Sequence, residues 1–556
     1  MLITLRDSDI AKWVEAACYF LSSEHDRDLA SLVEEAVDNI RGAQHEDGYI
    51  NTYYTVVEPG KRWTNISWSH ELYDAGHLLE AALAHYEYTH SMRMLGPLLK
   101  YVHHIRTVFG LDEDQKAGYP GHQEIELALL KTYESIGDAS LLELANYLIE
   151  ERGQRRPEGH YFDVEAAARG EPPNPGPAPR DTPRYAYHQA DRPVREIEEI
   201  EGHSVRAMYW MTAVAALARL TKDRSLLVAA ETLWGSTTKR KMYVTGGIGA
   251  VATWEGFGPD YYLPNETGYL ETCAAIGLVL FAYQMLLIGP YNNDYADVLE
   301  LVLHNAVLVG VSLDGKRFFY DNPPATIGKH TERSAFFEVS CCPANVARLL
   351  GSLGKYVYTH GPGDTIHVNL YISSALQVPL SDGKTAKVVL EANGPWLGGA
   401  KVEGISQEDH DCANVDIDLH AHVTLRIDFT YNVRLVYPHP LDLDNRGCAA
   451  IARGAFIYCA ETIDNAHIHD LRAIRLVQPL EVEESVDSDS FDKWGLHPVI
   501  LTVNALLVQQ TEDRLAQKGV RLKLIPMFMW ANRGKSDMRV WLPIITSDVT
   551  GEDDIL

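Results

Sequence analysis

The chain has 556 residues, 46% of them hydrophobic, and a formal net charge of −28. That length buries a large core and implies several domains, while an acidic balance with no Lys/Arg-rich stripe excludes nucleic acid and anionic membranes as partners. Seven cysteines, two of them adjacent at Cys341 and Cys342, suit a reduced compartment and thiol or metal chemistry better than a disulfide scaffold.

The amino terminus has no basic stretch followed by an apolar one, so nothing marks the chain for secretion. A cytoplasmic protein is expected, with the reservation that a truncated start would remove such a signal. Up to about residue 360 the sequence repeats one theme: an amphipathic segment, a short polar turn and an apolar-periodic return, as at 81–105, 128–153 and 215–234. These read as helical hairpins, about eleven helices where twelve close a ring of six pairs. The longest apolar run, Ala274 to Gly289, is too short to span a bilayer and reads as one buried helix of the set. Residues 154–201, with PPNPGPAP inside them, read as a long irregular insert. Beyond residue 360 the period falls to two, in DTIHVNLYISSALQV, VDIDLHAHVTLRIDF, HPVILTVNALLVQQ and VRLKLIPMFMW, which predicts strands. The expected architecture is multidomain α + β: an (α/α)6 helical toroid over 1–360, a shortened β-sandwich over 361–450 and a second β-sandwich over 451–556.

The chemistry gathers at helix entrances. His70, His122 and His203 each stand where a predicted helix begins, Glu271 and Cys273 open another (YLETCAAIGLV), and Cys341-Cys342 precede a fifth (CCPANVARLL). Alternate helices of a toroid share a direction, so these five distant segments converge on one mouth. A single histidine there is most simply a cap or a core residue; three at equivalent positions weaken that reading. The cysteines alone are equally buried thiols or a strained vicinal pair. Pro343, placed at the first helical position, puts Cys342 near the N-cap, where backbone N–H groups and the helix dipole favour thiolate. One glutamate and three cysteines make a closed tetrahedral Zn2+ site.

The stretches SHELYDAGH, GHQEIELAL, GHSVRAMY, YVTGGIG, DYYLPNETGYLETC, YADVLELVLHNAVLVGVSLDGKRFFY and CCPANVARL resemble glycoside hydrolase family 127, the β-L-arabinofuranosidase family, formerly a domain of unknown function; RGAFIYCAETIDN and MFMWANRGKSDMRVW resemble its β-rich part. The resemblance implies zinc ligands at Glu271, Cys273, Cys341 and Cys342, a nucleophile at Cys341, an acid/base at Glu255 in TWEGF, and sugar contacts at His70, His122, His203 and Tyr320. It implies a retaining enzyme that releases a terminal β-L-arabinofuranose or similar small sugar through a cysteine thioglycosyl intermediate. As the acid, Glu255 is expected to have a raised pKa, from burial or a neighbouring carboxylate.

Three departures go with the resemblance. The match starts at about Asp7 to Trp13, so a preceding family segment with a helix and a sugar-contacting glutamine has no counterpart here. A strand pair is missing around 391–412, and Val339 stands where some relatives have a further cysteine. The competing readings are an inactive carbohydrate-binding or scaffold protein with a structural zinc, and a toroid-fold sugar epimerase or uronide hydrolase. The partner in the favoured reading is a small oligosaccharide or glycoside; a homodimer through the sandwiches stays open, as do the exact sugar and linkage.

Overall fold

The computed structural model describes residues 6–177, 182–361, 365–381, 385–394, 396, 398–404, 416–418, 423–510 and 515–546. The helical part begins with α1 (Arg6–Ser23), α2 (Arg27–Gly42), the short α3 (Thr52–Val56), α4 (Glu71–Thr89), α5 (Met92–Val108), α6 (Ile125–Ile136) and α7 (Ala139–Glu151). It continues with α8 (Tyr161–Ala168), α9 (Ser204–Thr221), α10 (Arg224–Ser236), α11 (Thr272–Ile288), α12 (Asn293–Val302), α13 (Cys341–Gly351) and the short α14 (Gly354–Val357). Side-chain caps start many of them: Asp26, Ser91, Asp138, Asp223 and Asn292 each accept a hydrogen bond from the first turn of their helix, satisfying donors that have no intrahelical partner.

Six helices close a circuit: α1 packs on α4, α4 on α6, α6 on α9, α9 on α11, α11 on α13, and α13 back on α1. Their composition explains the inner position, since α4, α9 and α11 are buried on all sides along most of their length. Outside lie α2, α5, α7, α10 and α12, each packed on the inner helix before it and exposing one face. Among the described residues no long helix fills the sixth outer place, beside α13 and α1, and α1 leaves Ile10, Trp13 and Phe20 exposed on one face.

The expected irregular insert at 154–201 is partly ordered secondary structure. It holds a two-stranded ribbon (Arg155–Arg156 with Gly159–His160), α8, and short turns at Ala186–His188 and Val194–Glu196. Short elements of this size carry too few apolar repeats to show a period in sequence. Residues 178–181 of its proline-rich stretch lie outside the described residues.

Beyond α14 the chain is β-rich. A three-stranded sheet (Tyr358–Gly361, Thr365–Val368, Asp416–Asp418) and a four-stranded one (Ser374–Pro379, Thr385–Ala392, Ala400–Gly404, Val423–Ile427) share an apolar cluster that includes Ile366, Val368, Val388 and Val402. A nine-stranded sheet follows, antiparallel except where Ile474–Gln478 runs parallel to Leu542–Thr546. Two expected boundaries shift. The first falls inside the strand Tyr358–Gly361, and the second inside Cys448–Arg453, because the nine-stranded sheet already begins at Val433–Val436. Hydrogen bonding between these two strands, invisible in a hydropathy pattern, sets that limit. The shortened region expected at 391–412 lies in part outside the described residues, at 405–412. No helix among the described residues is long and apolar enough to cross a membrane.

Candidate active site

Inner helices deliver their first residues to one mouth of the circuit. His70 and His203 are the N-cap residues of α4 and α9, Glu271 is the N-cap of α11, and His122 lies two residues before the N-cap Glu124 of α6. At α13 the N-cap is Ser340, so Cys341 and Cys342 are the first two helical residues and Pro343 is the third. This corrects the expected placement of Pro343 at the first position. Proline is equally tolerated there, because no N–H of the first turn has an intrahelical acceptor.

The chosen residues meet. One ligand atom each of Glu271, Cys273, Cys341 and Cys342 lies within 4.8 Å of the others. Cys273 Sγ is 3.3 Å from Cys342 Sγ, Cys341 Sγ is 3.8 Å from Cys342 Sγ, and Glu271 Oε1 is 3.7 and 3.8 Å from the Cys341 and Cys342 sulfurs. All three cysteines are free thiols, so the vicinal pair is not bridged. Tyr320 Oη sits 3.1 Å from Cys341 Sγ. Its segment is fixed from α11: Thr272 N–H donates to Tyr320 O at 2.9 Å, and Asn322 Nδ2 donates to Thr272 Oγ1 at 2.9 Å.

The four groups compete for negative charge. Hydrogen bonds from Cys273 and Cys342 pull the Cys341 thiol well down, whereas burial pushes Cys273 and Cys342 up. Burial, then the charges of Cys341 and Glu255, push the Glu271 carboxyl up. Glu271 Oε2 is buried with no hydrogen-bond partner among the described residues. A donor set of this kind, anionic, buried and convergent, can bind a metal ion.

Glu255 follows a short turn at Ala252–Trp254, in left-handed backbone with φ +53°. The next residue has to be glycine: a Cβ on Gly256 would stand 2.0 Å from Gly202 O. Phe257 N–H donates to Gly202 O at 3.0 Å and Ser204 N–H to Glu255 O at 3.0 Å, which ties this loop to the start of α9. Glu255 Oε2 lies 2.9 Å from His203 Nε2, and Tyr269 Oη donates to Oε1 at 3.4 Å. One ligand atom each of His203, Glu255 and Glu271 also fall within 4.8 Å of one another, so Glu271 is shared by the His203–Glu255 pair and the cysteine group.

The expected rise in the Glu255 pKa is not what this environment produces. Burial does raise it, but the hydrogen bond and charge of His203, with Arg206 behind, outweigh burial and the carboxyl sits below its ordinary value. The side chain is 42% exposed, which limits the desolvation.

The three histidines form a row, with ring centres 5.8 Å apart from His70 to His122 and 5.8 Å from His122 to His203. Burial lowers all three, His70 and His122 to well below the ordinary imidazole value and His203 less, because Glu255 opposes the shift. His122 Nδ1–H donates to Gln123 O at 2.8 Å, which leaves Nε2 as an acceptor. In His203, Nδ1 accepts from Val205 N–H at 3.2 Å, so Nε2 carries the proton that faces Glu255. Both His203 nitrogens are thus engaged by groups of the protein itself, Nδ1 by the start of α9 and Nε2 by Glu255. Sequence reasoning missed the surrounding support: Tyr73, whose ring centre is 4.4 Å from that of His122, Tyr269, Arg206 and Lys12. Tyr269 and Arg206 stand within TGYLETC and GHSVR, the same short stretches that carry the ligands and His203.

Residues 2–355 match the model of the β-L-arabinofuranosidase GH127 catalytic domain, and residues 433–543 that of the glycoside hydrolase family 127 C-terminal domain. The chain belongs to glycoside hydrolase family 127. Within the family it is 33% identical to the non-reducing end β-L-arabinofuranosidase of Bifidobacterium longum subsp. longum, over 97% of this chain and 89% of that one. It superimposes on a GH127 β-L-arabinofuranosidase from Geobacillus stearothermophilus T6 with a TM-score of 0.87 at 37% identity, over 98% of this chain and 91% of the other. A second GH127 β-arabinofuranosidase gives a TM-score of 0.83 at 31% identity, with 98% and 88% covered. Family 127 membership makes this chain a glycoside hydrolase, with a helical amino-terminal region and a β-rich carboxy-terminal one.

Proposed function

We propose that the protein is a zinc-dependent, retaining β-L-arabinofuranosidase acting on a terminal sugar, with Cys341 as nucleophile and Glu255 as acid and base. The observation that carries the reading is the convergence of Glu271, Cys273, Cys341 and Cys342, with Tyr320 on Cys341 and Glu255 across Glu271. With sulfur separations of 3.3 and 3.8 Å and the Glu271 carboxylate beside them, Glu271, Cys273, Cys341 and Cys342 are the residues that would hold a Zn2+ ion. Zinc, when bound, holds its cysteine ligands as thiolates at neutral pH.

In this reading Cys341 Sγ attacks the anomeric carbon while Glu255 gives its proton to the leaving oxygen, forming a thioglycosyl bond. Glu255 then takes a proton from water, which displaces the sulfur and releases the sugar with retained configuration. The carboxylate at rest is the form needed for the second step. For the first step, a bound sugar that strips water from Glu255 raises its pKa towards protonation. Tyr320 Oη stabilises sulfur charge, His203 aims Glu255, and His70 and His122 meet sugar hydroxyls. The same reading takes the six-helix circuit and its outer layer as an (α/α)6 toroid and the β-rich part as two β-sandwiches.

The test is elemental analysis of the purified chain together with hydrolysis of p-nitrophenyl β-L-arabinofuranoside by wild type, Cys341→Ser and Glu255→Gln. One zinc per chain, with turnover lost in both variants, is the expected outcome. Folded wild type that turns over without metal would sink the thiolate–zinc mechanism, and zinc without turnover on any furanoside would leave a structural site.

A further inference from the structure

The buried cations of the helical part divide into two kinds. Arg152 lies 3.1 Å from Glu126, Arg348 3.1 Å from Glu15 with Glu80 closer still, and Lys241 2.5 Å from Glu199. Lys12 on α1 differs. It is 1% exposed, its Nζ donates to Tyr73 Oη at 2.9 Å, and among the described residues no carboxylate oxygen lies within 4.0 Å of it. Burying an ammonium without a counter-charge costs several kcal/mol (order of magnitude), so a cation kept in this state needs an anion elsewhere in its surroundings.

The helix register brings the Glu271, Cys273, Cys341 and Cys342 group towards it. α1 and α13 pack as parallel neighbours, since Glu15 meets Arg348 and, four residues further along α1 and three along α13, Tyr19 lies against Gly351. Stepping back seven residues from the Glu15–Arg348 pair sets Ser8 level with Cys341. Lys12 is then one turn deeper, about 6 Å along the axis at 1.5 Å per residue, within reach of a lysine side chain. Tyr73, which holds the ammonium, also packs on His122, so it fixes Lys12 from the sugar side of the mouth. The Lys12 charge also opposes the burial-driven rise of the Asp9 carboxyl on its own helix and of the buried Asp74 carboxyl on α4, neither of which lies within 4.0 Å of its Nζ. Arg206 and Arg333, the other buried cations of the helical part with no carboxylate within 4.0 Å among the described residues, are already held: Arg206 by Gly121 O at 2.9 Å, His188 Nδ1 at 2.7 Å and the face of Tyr187, its charge acting on Glu255, and Arg333 by Val309 O at 2.9 Å and Trp530 O at 2.7 Å.

We propose that Lys12 is the counter-charge of the Glu271, Cys273, Cys341 and Cys342 set, a positioning residue that holds this anionic group together for a divalent ion. The inference rests on the metal reading given above. One carboxylate and three thiolates carry four negative charges, a divalent ion cancels two, and the remaining pair needs a nearby cation in a buried site. Lys12 supplies one without occupying a ligand position.

The experiment measures zinc affinity of the full chain by competition with a chromophoric chelator, for wild type, Lys12→Met, Lys12→Arg and Tyr73→Phe, with metal-free circular dichroism and thermal unfolding recorded alongside. Expected is a loss of about tenfold or more in affinity for Lys12→Met, the scale at which supporting groups act on metal sites. Lys12→Arg should recover most of it and Tyr73→Phe should lose a few-fold, with metal-free folding unchanged. If Lys12→Met fails to fold, the comparison of Tyr73→Phe with wild type decides, because it removes only the hydroxyl that fixes the ammonium. Wild-type affinity in both Lys12→Met and Tyr73→Phe would overturn the assignment and leave the metal reading standing. Absence of zinc binding by the wild type would instead overturn the metal reading, and this inference with it.

Discussion

Hydrogen bonds of unequal geometry rank the residues around Cys341 and Glu255. Tyr320 Oη lies 3.1 Å from the sulfur of the proposed nucleophile, whereas Tyr269 Oη reaches Glu255 Oε1 only at 3.4 Å. A hydrogen bond to a charged group contributes about 1.5–3 kcal/mol, or roughly ten- to a hundredfold in rate. Tyr320→Phe is therefore expected to lose that much in kcat/KM, and Tyr269→Phe only a few-fold, each with unchanged thermal unfolding. Steady-state kinetics on the same furanoside checks the order, and equal losses would contradict it. The sequence made His70, His203, Glu271 and the cysteine pair legible because each belongs to a helix start, where polar residues before an apolar run are recognisable. Glu255 was legible only through family resemblance. It stands in a left-handed turn between two short bridges, where neither period nor cap marks it. Lys12 was hidden for the opposite reason: it sits inside a regular helix, where a lysine normally reads as surface.

At the level of elements, the entrance of α4 stores a titratable group that its sequence does not advertise. Glu71, the first residue of α4, is 1% exposed; its carboxylate accepts from Trp63 N–H at 3.0 Å and from Tyr49 Oη at 2.5 Å. Burial outweighs these bonds and pushes its pKa up to about 8 from 4.5. Between about pH 4.5 and 8 the folded chain therefore holds a proton that the unfolded chain has released, so this group makes stability fall as pH rises through that window and level off above it. Glu71→Gln keeps an acceptor for both donors and removes the titration. Its unfolding temperature relative to wild type is expected to increase from pH 5 to pH 8, read by differential scanning fluorimetry in matched buffers; parallel curves would show that Glu71 titrates normally. The helices themselves were legible from their caps and periods. The insert at 154–201 was not, because α8 and its neighbouring turns are ordered by partners far away in sequence, such as Glu165, which accepts from Ile66 N–H at 2.6 Å.

Across the whole molecule, the nine-stranded sheet is a structural support of the site. Asn305, in the segment after α12, donates to Ala455 O at 2.8 Å and accepts from Ile457 N–H at 2.7 Å. Arg333 donates to Val309 O at 2.9 Å and to Trp530 O at 2.7 Å, and Phe319 stacks on Trp530 with ring centres 4.6 Å apart. Phe319 is followed directly by Tyr320, so the carboxy-terminal sheet sets the position of a side chain that touches Cys341. A hydropathy pattern separates helices from strands along the chain but cannot report this dependence, because it arises from contacts about 200 residues apart in sequence. Trp530→Ala removes the surface under Phe319 and leaves a cavity that costs about 3–5 kcal/mol. The expected consequence is local: zinc content is retained, since none of the four proposed ligands touches Trp530, while kcat falls by about tenfold or more as Tyr320 loses its alignment. Trp530→Phe, which keeps an aromatic face, should recover most of the rate. If Trp530→Ala instead matched the wild type in kcat, the sheet would be an appended module whose contact with the helical part does not reach Cys341.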